Sequence, residues 1–169
     1  LYAAGGSDDQ GALDRIGNQF VSIDLESGHV RRLAAYPEAG LSTGTAAATA
    51  GRIHVFGGAR WDPEAKTVVN HASAHAYSVT TGRWEKLPDL PYPGRGYCAV
   101  TLDEGRILVA GGYRNDEVEF VRDALIYDVN TRRYAPTVPL PYAGMVALVA
   151  AGDWVYCLGG EDRKRHRTD

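Results

Sequence analysis

A pair of adjacent glycines closes four apolar runs of the chain, and the pair recurs at nearly constant spacing. Successive pairs are 52, 54 and 48 residues apart. A second marker keeps the same interval, because Tyr77 precedes Trp84 by seven residues and Tyr127 precedes Tyr134 by seven. Repetition at a fixed interval indicates a fold built from one unit used several times. The glycine pairs are Gly5-Gly6, Gly57-Gly58, Gly111-Gly112 and Gly159-Gly160.

Each repeat consists of short runs typical of β-strands, with turn residues between them. No stretch keeps a 3.6-residue apolar period, so the sequence predicts an all-β fold. The best-preserved repeat predicts four strands, at Gly96–Leu102, Arg106–Gly112, Asp123–Val129 and Arg133–Val138.

The interval of about 50 residues, with glycine pairs and ring residues in step, resembles the kelch repeat. This resemblance implies a kelch-type β-propeller, a ring of four-stranded blades around a channel. The first strand of each blade lines the crowded channel, where the small residues of 46–50 are suitable. Trp84 and Tyr134 are expected to fill the gaps between blades, and Val30 takes that place in the first repeat.

The runs predict three strands in the first repeat, four in each of the next two and two in the last, thirteen in all. These amount to about three and a quarter blades, which leave open sheet edges. We therefore expect a segment of a longer ring of about six blades, partnered by the rest of the propeller from the same parent chain. Residues 1–169 form one propeller segment, with blades at 1–40 (incomplete), 41–90, 91–141 and 142–169 (incomplete).

Composition excludes several classes of function. The net charge of −3 gives no reason to expect a nucleic-acid partner. No apolar run approaches the roughly 20 residues of a membrane helix, so no membrane partner is expected. Cys98 and Cys157 lie in apolar runs and are predicted to be buried free thiols. Without zinc-type spacing of cysteines and histidines, no metal is expected.

One stretch, Gly94 to Ala99, matches the G-x-G-x-x-A pattern of dinucleotide-binding turns. That motif requires a helix after the glycines, whereas a strand is predicted here. We therefore expect no nucleotide to bind there.

The loops after the second and fourth strands of each blade emerge at the same end, which we call the wide-loop end. Function concentrates in such loops. The aromatic residues expected there are Trp61, Tyr113 and Tyr142, either as stacking surfaces for a ligand or as covers of the blade edge. Arg95 and Arg114 are expected there too, as carboxylate ligands or as surface charge. The wide loops are predicted at Ser7–Gly17, Ala59–His71, Tyr113–Arg122 and Glu161–Thr168.

A carboxylate follows the last glycine pair directly, where the other repeats have Ser7, Ala59 and Tyr113. This residue is Glu161, and Arg167 comes six residues later. A loop of this length can return the arginine beside the glutamate. The pair would then combine a proton-transferring carboxylate with a guanidinium able to bind a carboxylate. The alternative is a solvent-exposed ion pair that contributes little.

The stretch "GGEDRKRHRTD" resembles the corresponding loop of the bacterial N-acetylneuraminate epimerases, which are kelch-type sialic acid mutarotases. The resemblance implies that Glu161 is the proton acceptor and that Arg167 lies in the same site, with Thr168 and Asp169 completing the motif. Arg163–His166 stand where that family usually has glycine and proline.

The resemblance further implies a cofactor-independent isomerase that interconverts anomers of N-acetylneuraminate or a related sugar acid, in the periplasm or secreted. The sequence leaves a second function open, because kelch propellers also serve as non-catalytic modules that bind proteins or glycans. The two functions differ in whether they require the Glu161 carboxylate.

Overall fold

The computed structural model describes residues 1–7, 13–163 and 166–168. The described residues form antiparallel β-strands and a single 3-10 turn at Leu13–Arg15. Among them there is no helix long and apolar enough to cross a membrane. The strands are Tyr2–Ala4 (β1), Phe20–Ile23 (β2), Val30–Arg32 (β3), Thr45–Thr49 (β4), Arg52–Phe56 (β5), Ala59–Asp62 (β6), Thr67–Asn70 (β7), Ala74–Ser78 (β8), Arg83–Leu87 (β9), Cys98–Asp103 (β10), Arg106–Ala110 (β11), Ala124–Asp128 (β12), Arg133–Pro136 (β13), Met145–Ala151 (β14), Trp154–Arg163 (β15) and His166–Thr168 (β16).

Consecutive strands form four blade-like sheets, as a propeller requires. Blade 1 has the order β1-β2-β3, blade 2 β4-β5-β8-β9, blade 3 β10-β11-β12-β13 and blade 4 β14-β15-β16. The two complete blades confirm the predicted four-strand unit, and the strands of blade 3 agree with prediction to within two residues. The two strands predicted for the last repeat were too few, because His166–Thr168 pairs back onto β15. The third strand was not predicted because the basic residues around His166–Thr168 do not form the apolar pattern typical of a strand.

The stretch Ala59–His71, predicted as a loop, is mostly a β-hairpin of β6 and β7 inserted in blade 2. Its turn is organised by Asp62, whose Oδ1 accepts hydrogen bonds from the backbone N–H groups of Glu64 (2.9 Å) and Ala65 (3.0 Å). Thr67, Val68 and Val69 then supply a β-favouring strand. The proline and charged residues of the turn obscured this alternation in the sequence.

The first strands of blades 2, 3 and 4 lie next to one another, with β10 between β4 and β14. Threonine side chains connect the strands of blades 2 and 3. Thr101 Oγ1 donates to the Ala48 carbonyl (2.7 Å), and Thr45 Oγ1 accepts from the Ala99 N–H (2.8 Å). Small side chains on these strands therefore let neighbouring blades approach closely enough for side chain to backbone hydrogen bonds.

Aromatic residues of the outer strands fill the gaps between blades, as predicted. Trp84 lies 4.9 Å from the Phe20 ring of blade 1 and donates its Nε1–H to the Ala34 carbonyl (2.8 Å). Tyr134 repeats this arrangement one blade later, with its hydroxyl donating to the Pro88 carbonyl (2.9 Å). Val30 at the equivalent place in blade 1 is 55% exposed and contributes less packing.

The glycine pairs are explained by a contact with the segment that leads into the next blade. The second glycine donates its N–H to a carbonyl of that segment, Gly58 to Gly94 and Gly112 to Gly144, both at 2.8 Å. The first glycine lies against the same carbonyl, because a Cβ on Gly111 would be 2.5 Å from the Gly144 oxygen. A side chain at Gly57 or Gly111 would therefore meet backbone, and both residues have a positive φ, which together explain why glycine recurs at this place.

Cys98 and Cys157 are both free thiols, as predicted, although they are half-buried and not fully buried. They lie near the boundary of blades 3 and 4. The Cys98 sulfur accepts a hydrogen bond from the Leu148 N–H (3.2 Å), and burial raises the pKa of its thiol. Cys98 is therefore a packing residue of the core in its neutral form.

The glycine contact leads to a stability prediction. Gly111→Ala introduces a steric clash and a disfavoured φ of +67°, whereas Gly51→Ala meets the same disfavoured φ (+71°) in open space. We expect losses of unfolding free energy of about 2–5 kcal/mol for Gly111→Ala and about 1–2 kcal/mol for Gly51→Ala. Urea denaturation of the full-length protein measures both, and equal losses would contradict the proposed contact.

A buried histidine lies between blades 2 and 3. His54 is 1% exposed, and its ring lies near the rings of Phe56 and Tyr127. Its ring nitrogens have no hydrogen-bond partner among the described residues. Burial, with a smaller contribution from the Arg52 charge, lowers the pKa of His54 to about 4. His54 is therefore neutral in the folded protein at neutral pH.

This pKa predicts a pH dependence of stability. The unfolded chain takes up a proton at His54 below pH 6.5 while the folded chain does not, so stability falls as pH decreases from 6.5 toward 4. His54→Phe should remove that part of the fall, up to about 3 kcal/mol at pH 4. Denaturation at pH 4, 5, 6 and 7 measures the slope, and parallel profiles for wild type and variant would exclude this role.

Candidate functional site

The wide-loop end carries a repeated arrangement of three neighbouring residues in each of blades 2 to 4. The residue after each glycine pair is flanked on one side by the start of the first strand and on the other by the segment before the third strand. We call each set a mouth triplet. The triplets are Ser42, Ala59 and Asn70 in blade 2, Arg95, Tyr113 and Phe120 in blade 3, and Met145, Glu161 and Arg167 in blade 4.

The fourth blade brings the two predicted catalytic residues to neighbouring backbone positions. Glu161 and Arg167 are directly opposite partners of the β15–β16 pair, and Met145 faces Glu161 on its other side. Residues opposite each other in an antiparallel pair have Cα atoms about 4.5–5.5 Å apart. Glu161 is half-buried. Asp169, the last residue of the predicted motif, lies outside the described residues.

The third blade places Arg95 and Tyr113 together, and both were predicted as ligand-binding residues. Their backbones exchange two hydrogen bonds, of 3.0 and 2.8 Å. The Arg95 guanidinium lies 4.5 Å from the centre of the Tyr113 ring and donates Nη1–H to the Asn70 Oδ1 (2.9 Å). Asn70 in turn donates its amide to the carbonyls of Tyr113 and Arg114. The blade 2 hairpin and the blade 3 loop are therefore joined through Asn70.

Arg114 is held by different contacts. Its guanidinium lies 3.3 Å from the centre of the Tyr92 ring and forms an ion pair with Asp123. The Tyr92 hydroxyl also donates to Asp123 (3.1 Å), and burial, together with the nearby carboxylate, raises the pKa of Tyr92. The charge of Arg114 is thus compensated within the blade.

Between the β6–β7 hairpin and the blade 3 loop lies an open groove with a volume of about 670 Å³. This is the size of a cleft that holds a small-molecule ligand. Tyr113 donates its hydroxyl to Asp116, and this hydrogen bond raises the pKa of the tyrosine. The groove wall is thereby fixed. Residues that line it include Thr67, Asn70, Tyr92, Arg95, Tyr113 and Arg114.

Two predicted ligand-binding aromatic residues lie elsewhere. Trp61 is in β6, opposite Val68, and is half-buried without lining the groove. Tyr142 packs at the boundary of blades 3 and 4, where its hydroxyl donates to the Gly159 carbonyl (2.8 Å) and accepts a weak contact from Cys157 Sγ (3.6 Å). For Tyr142 these contacts agree with the alternative of a residue that covers the blade edge.

Sequence reasoning missed Asn70, Tyr92 and Asp123, which organise the groove. Asn70 ends a run of β-favouring residues, so recognition of the β6–β7 hairpin would have placed it beside the next blade. Tyr92 carries no local signal, because its partners Arg114 and Asp123 are 22 and 31 residues away, and Asp123 is separated from Arg114 by a loop. Within the described part of the chain, no three His, Cys, Asp or Glu side chains converge as metal ligands would.

Comparison with known proteins supports the architecture described above. No protein-family model matches the chain. An F-box/kelch-repeat protein of Arabidopsis thaliana is 33% identical over 101 residues, 53% of this chain and 27% of that protein. Kelch-like protein 23 of Homo sapiens is 28% identical over 109 residues, 64% of this chain and 18% of that protein. The chain thus spans well under a third of either relative.

Among solved structures, YjhT superimposes with a TM-score of 0.79 at 21% sequence identity, covering 90% of this chain and 54% of YjhT. The blades define an all-β propeller. The kelch-repeat relatives and this structural similarity specify its type further, since the chain folds as a partial kelch-type β-propeller.

The Asn70 bridge leads to a third prediction. Asn70→Ala removes hydrogen bonds to two carbonyls and to Arg95, so we expect a loss of about 1–3 kcal/mol and a more mobile hairpin. Hydrogen–deuterium exchange of the full-length protein should show faster exchange in β6 and β7. Thr67→Ala, an exposed change in the same strand, is the control and should leave exchange there nearly unchanged. Slow exchange in both variants would refute the bridge.

Proposed function

We propose that the full-length protein is a cofactor-independent mutarotase for N-acetylneuraminate or a related sugar acid, with its site at the mouth triplet of blade 4. The observation that carries the proposal is the direct pairing of the Glu161 and Arg167 positions across β15 and β16. The resemblance of "GGEDRKRHRTD" to the sialic acid mutarotases supports the choice of reaction. The kelch-type fold is consistent with it but does not select it.

Mutarotation of a ring-closed 2-keto sugar needs only proton transfers and the breaking and re-forming of one carbon–oxygen bond. Glu161 takes the proton from the anomeric hydroxyl, the bond from the anomeric carbon to the ring oxygen breaks, and the open ketone forms. Glu161 then delivers the proton to the ring oxygen. Ring closure on the other face of the ketone reverses these steps and yields the other anomer. No electrons are exchanged with a second molecule, so no redox cofactor is required.

Arg167 is proposed to bind the carboxylate of the sugar and so to orient the anomeric carbon toward Glu161. Guanidinium geometry matches a carboxylate with two parallel hydrogen bonds, which a lysine does not provide. Met145 on the other side of Glu161 contributes an apolar neighbour to the site.

The proposal predicts a specific loss of activity. Glu161→Gln keeps the shape of the side chain but cannot accept the proton, so we expect mutarotation to fall by about 10²–10⁴-fold. Proton NMR of freshly released N-acetylneuraminate, with and without full-length protein, follows anomer equilibration. Asp162→Asn removes the neighbouring carboxylate of the same strand and should retain most of the activity. Full activity in Glu161→Gln would rule the mechanism out.

A second candidate is a non-catalytic propeller that binds a protein or glycan. It is consistent with the ion pair between Arg114 and Asp123, which compensates the charge of one of the arginines predicted to bind substrate. It is also favoured by the kelch-repeat character of the sequence relatives. A well-folded protein that leaves anomer equilibration at the uncatalysed rate would support this candidate, and a glycan-array and peptide-library screen would then identify the ligand.

A further inference from the structure

The groove between the blade 2 hairpin and the blade 3 loop contains two arginines with different electrostatic surroundings. Arg114 pairs with the carboxylate of Asp123. Arg95 contacts the neutral amide of Asn70 and the ring of Tyr113, and no carboxylate of the described residues lies within 4.0 Å of its guanidinium. Arg95 is therefore the cation of this groove whose charge is not compensated by a direct ion pair.

Arg95 is also held in position before any ligand binds. The Asn70 side chain accepts a hydrogen bond from one of the five guanidinium N–H groups of Arg95, and the guanidinium packs over the Tyr113 ring. The backbone N–H and carbonyl of Arg95 both form hydrogen bonds with the backbone of Tyr113. A side chain ordered in advance loses little conformational entropy on binding, which favours affinity.

We propose that this groove is an anion-binding site anchored by Arg95, and that its ligand is a small, hydroxylated carboxylic acid of the size of one sugar acid. The volume of about 670 Å³ suits a ligand of that size. On the walls, the Thr67 hydroxyl and the side-chain NH2 group of Asn115 pair with ligand hydroxyls. The site goes beyond the Glu161 chemistry, and its ligand binding does not require that chemistry.

The charges around the groove favour a carboxylate over a phosphate. Asp116 lines the groove and bonds the Tyr113 hydroxyl, and Asp123 pairs with Arg114 at its edge. These acidic groups repel a dianion more strongly than a monoanion.

The groove lies close to the proposed catalytic triplet along the wide-loop end. Met145, the backbone partner of Glu161, packs its side chain over Gly96, since a Cβ on that glycine would be 2.2 Å from the methionine sulfur. Gly96 directly follows Arg95. Binding in the groove and proton transfer at Glu161 are thus placed in neighbouring blades and need separate measurements.

The test uses the full-length protein and the NMR signals of Asn70, Tyr113 and Arg114. Addition of N-acetylneuraminate should shift these signals, and the titration gives its affinity. Neutral N-acetylmannosamine should bind at least tenfold more weakly than the sugar acid, and inorganic phosphate should also bind less tightly. Arg95→Gln and Arg95→Ala should each weaken binding at least tenfold. Arg133→Ala, an exposed arginine of β13, is the matched control and should bind as the wild type does.

Several results would overturn the proposal. They are no shift of the three signals with the sugar acid, unchanged affinity in folded Arg95→Gln, equal binding of the neutral sugar, or tighter binding of phosphate. Glu161→Gln separates the two proposals, since it should keep the groove signals shifting while anomer exchange stops. If the wild type shows shifts of the groove signals without anomer exchange, the mutarotase proposal fails and the proposal of an anion-binding groove stands.

Discussion

The contact between each of the first three glycine pairs and the carbonyl that leads into the next blade is the constraint on which the rest of the structure depends. It brings the end of the second strand against the connecting segment at a distance that excludes any side chain. The same geometry directs an N–H of the pair to that carbonyl. Because the contact joins one blade to the next, its repetition determines how successive blades are placed and keeps the repeat length nearly constant.

One consequence of this contact is the position of the residue after each glycine pair. The chain leaves the second strand at a defined place, so that residue always lies between the start of the first strand and the approach to the third. The three mouth triplets therefore share one backbone arrangement with different side chains. Variation at these positions changes chemistry without disturbing the blade, as is typical of function carried by a rigid scaffold.

The groove beside blade 3 depends on interactions of another kind. The β6–β7 hairpin is an insertion within blade 2, and Asn70 joins it to blade 3 through hydrogen bonds to the Tyr113 and Arg114 carbonyls. That bridge connects the wall of one blade to Arg95 of the next. The groove is therefore a property of two blades together, which explains why neither repeat alone suggests it.

Much of the fold could be predicted because its signals are local. Glycine pairs and alternating apolar runs report directly on strand ends and strand periods, so the strands of blade 3 were placed to within two residues. Trp84 and Tyr134 could be assigned to the gaps between blades from their equal spacing after Tyr77 and Tyr127. The β6–β7 hairpin and β16 were missed because a charged turn and a basic run masked short strands.

The candidate site shows the same division. The sequence by itself determined the propeller repeat and the place of Glu161, because both follow from residues adjacent in the chain. Only the tertiary structure decided that Arg114 is compensated by Asp123 whereas Arg95 is oriented by Asn70 without a carboxylate partner. Asn70 lies 25 residues from Arg95, and such contacts depend on how two blades pack, which no local pattern encodes.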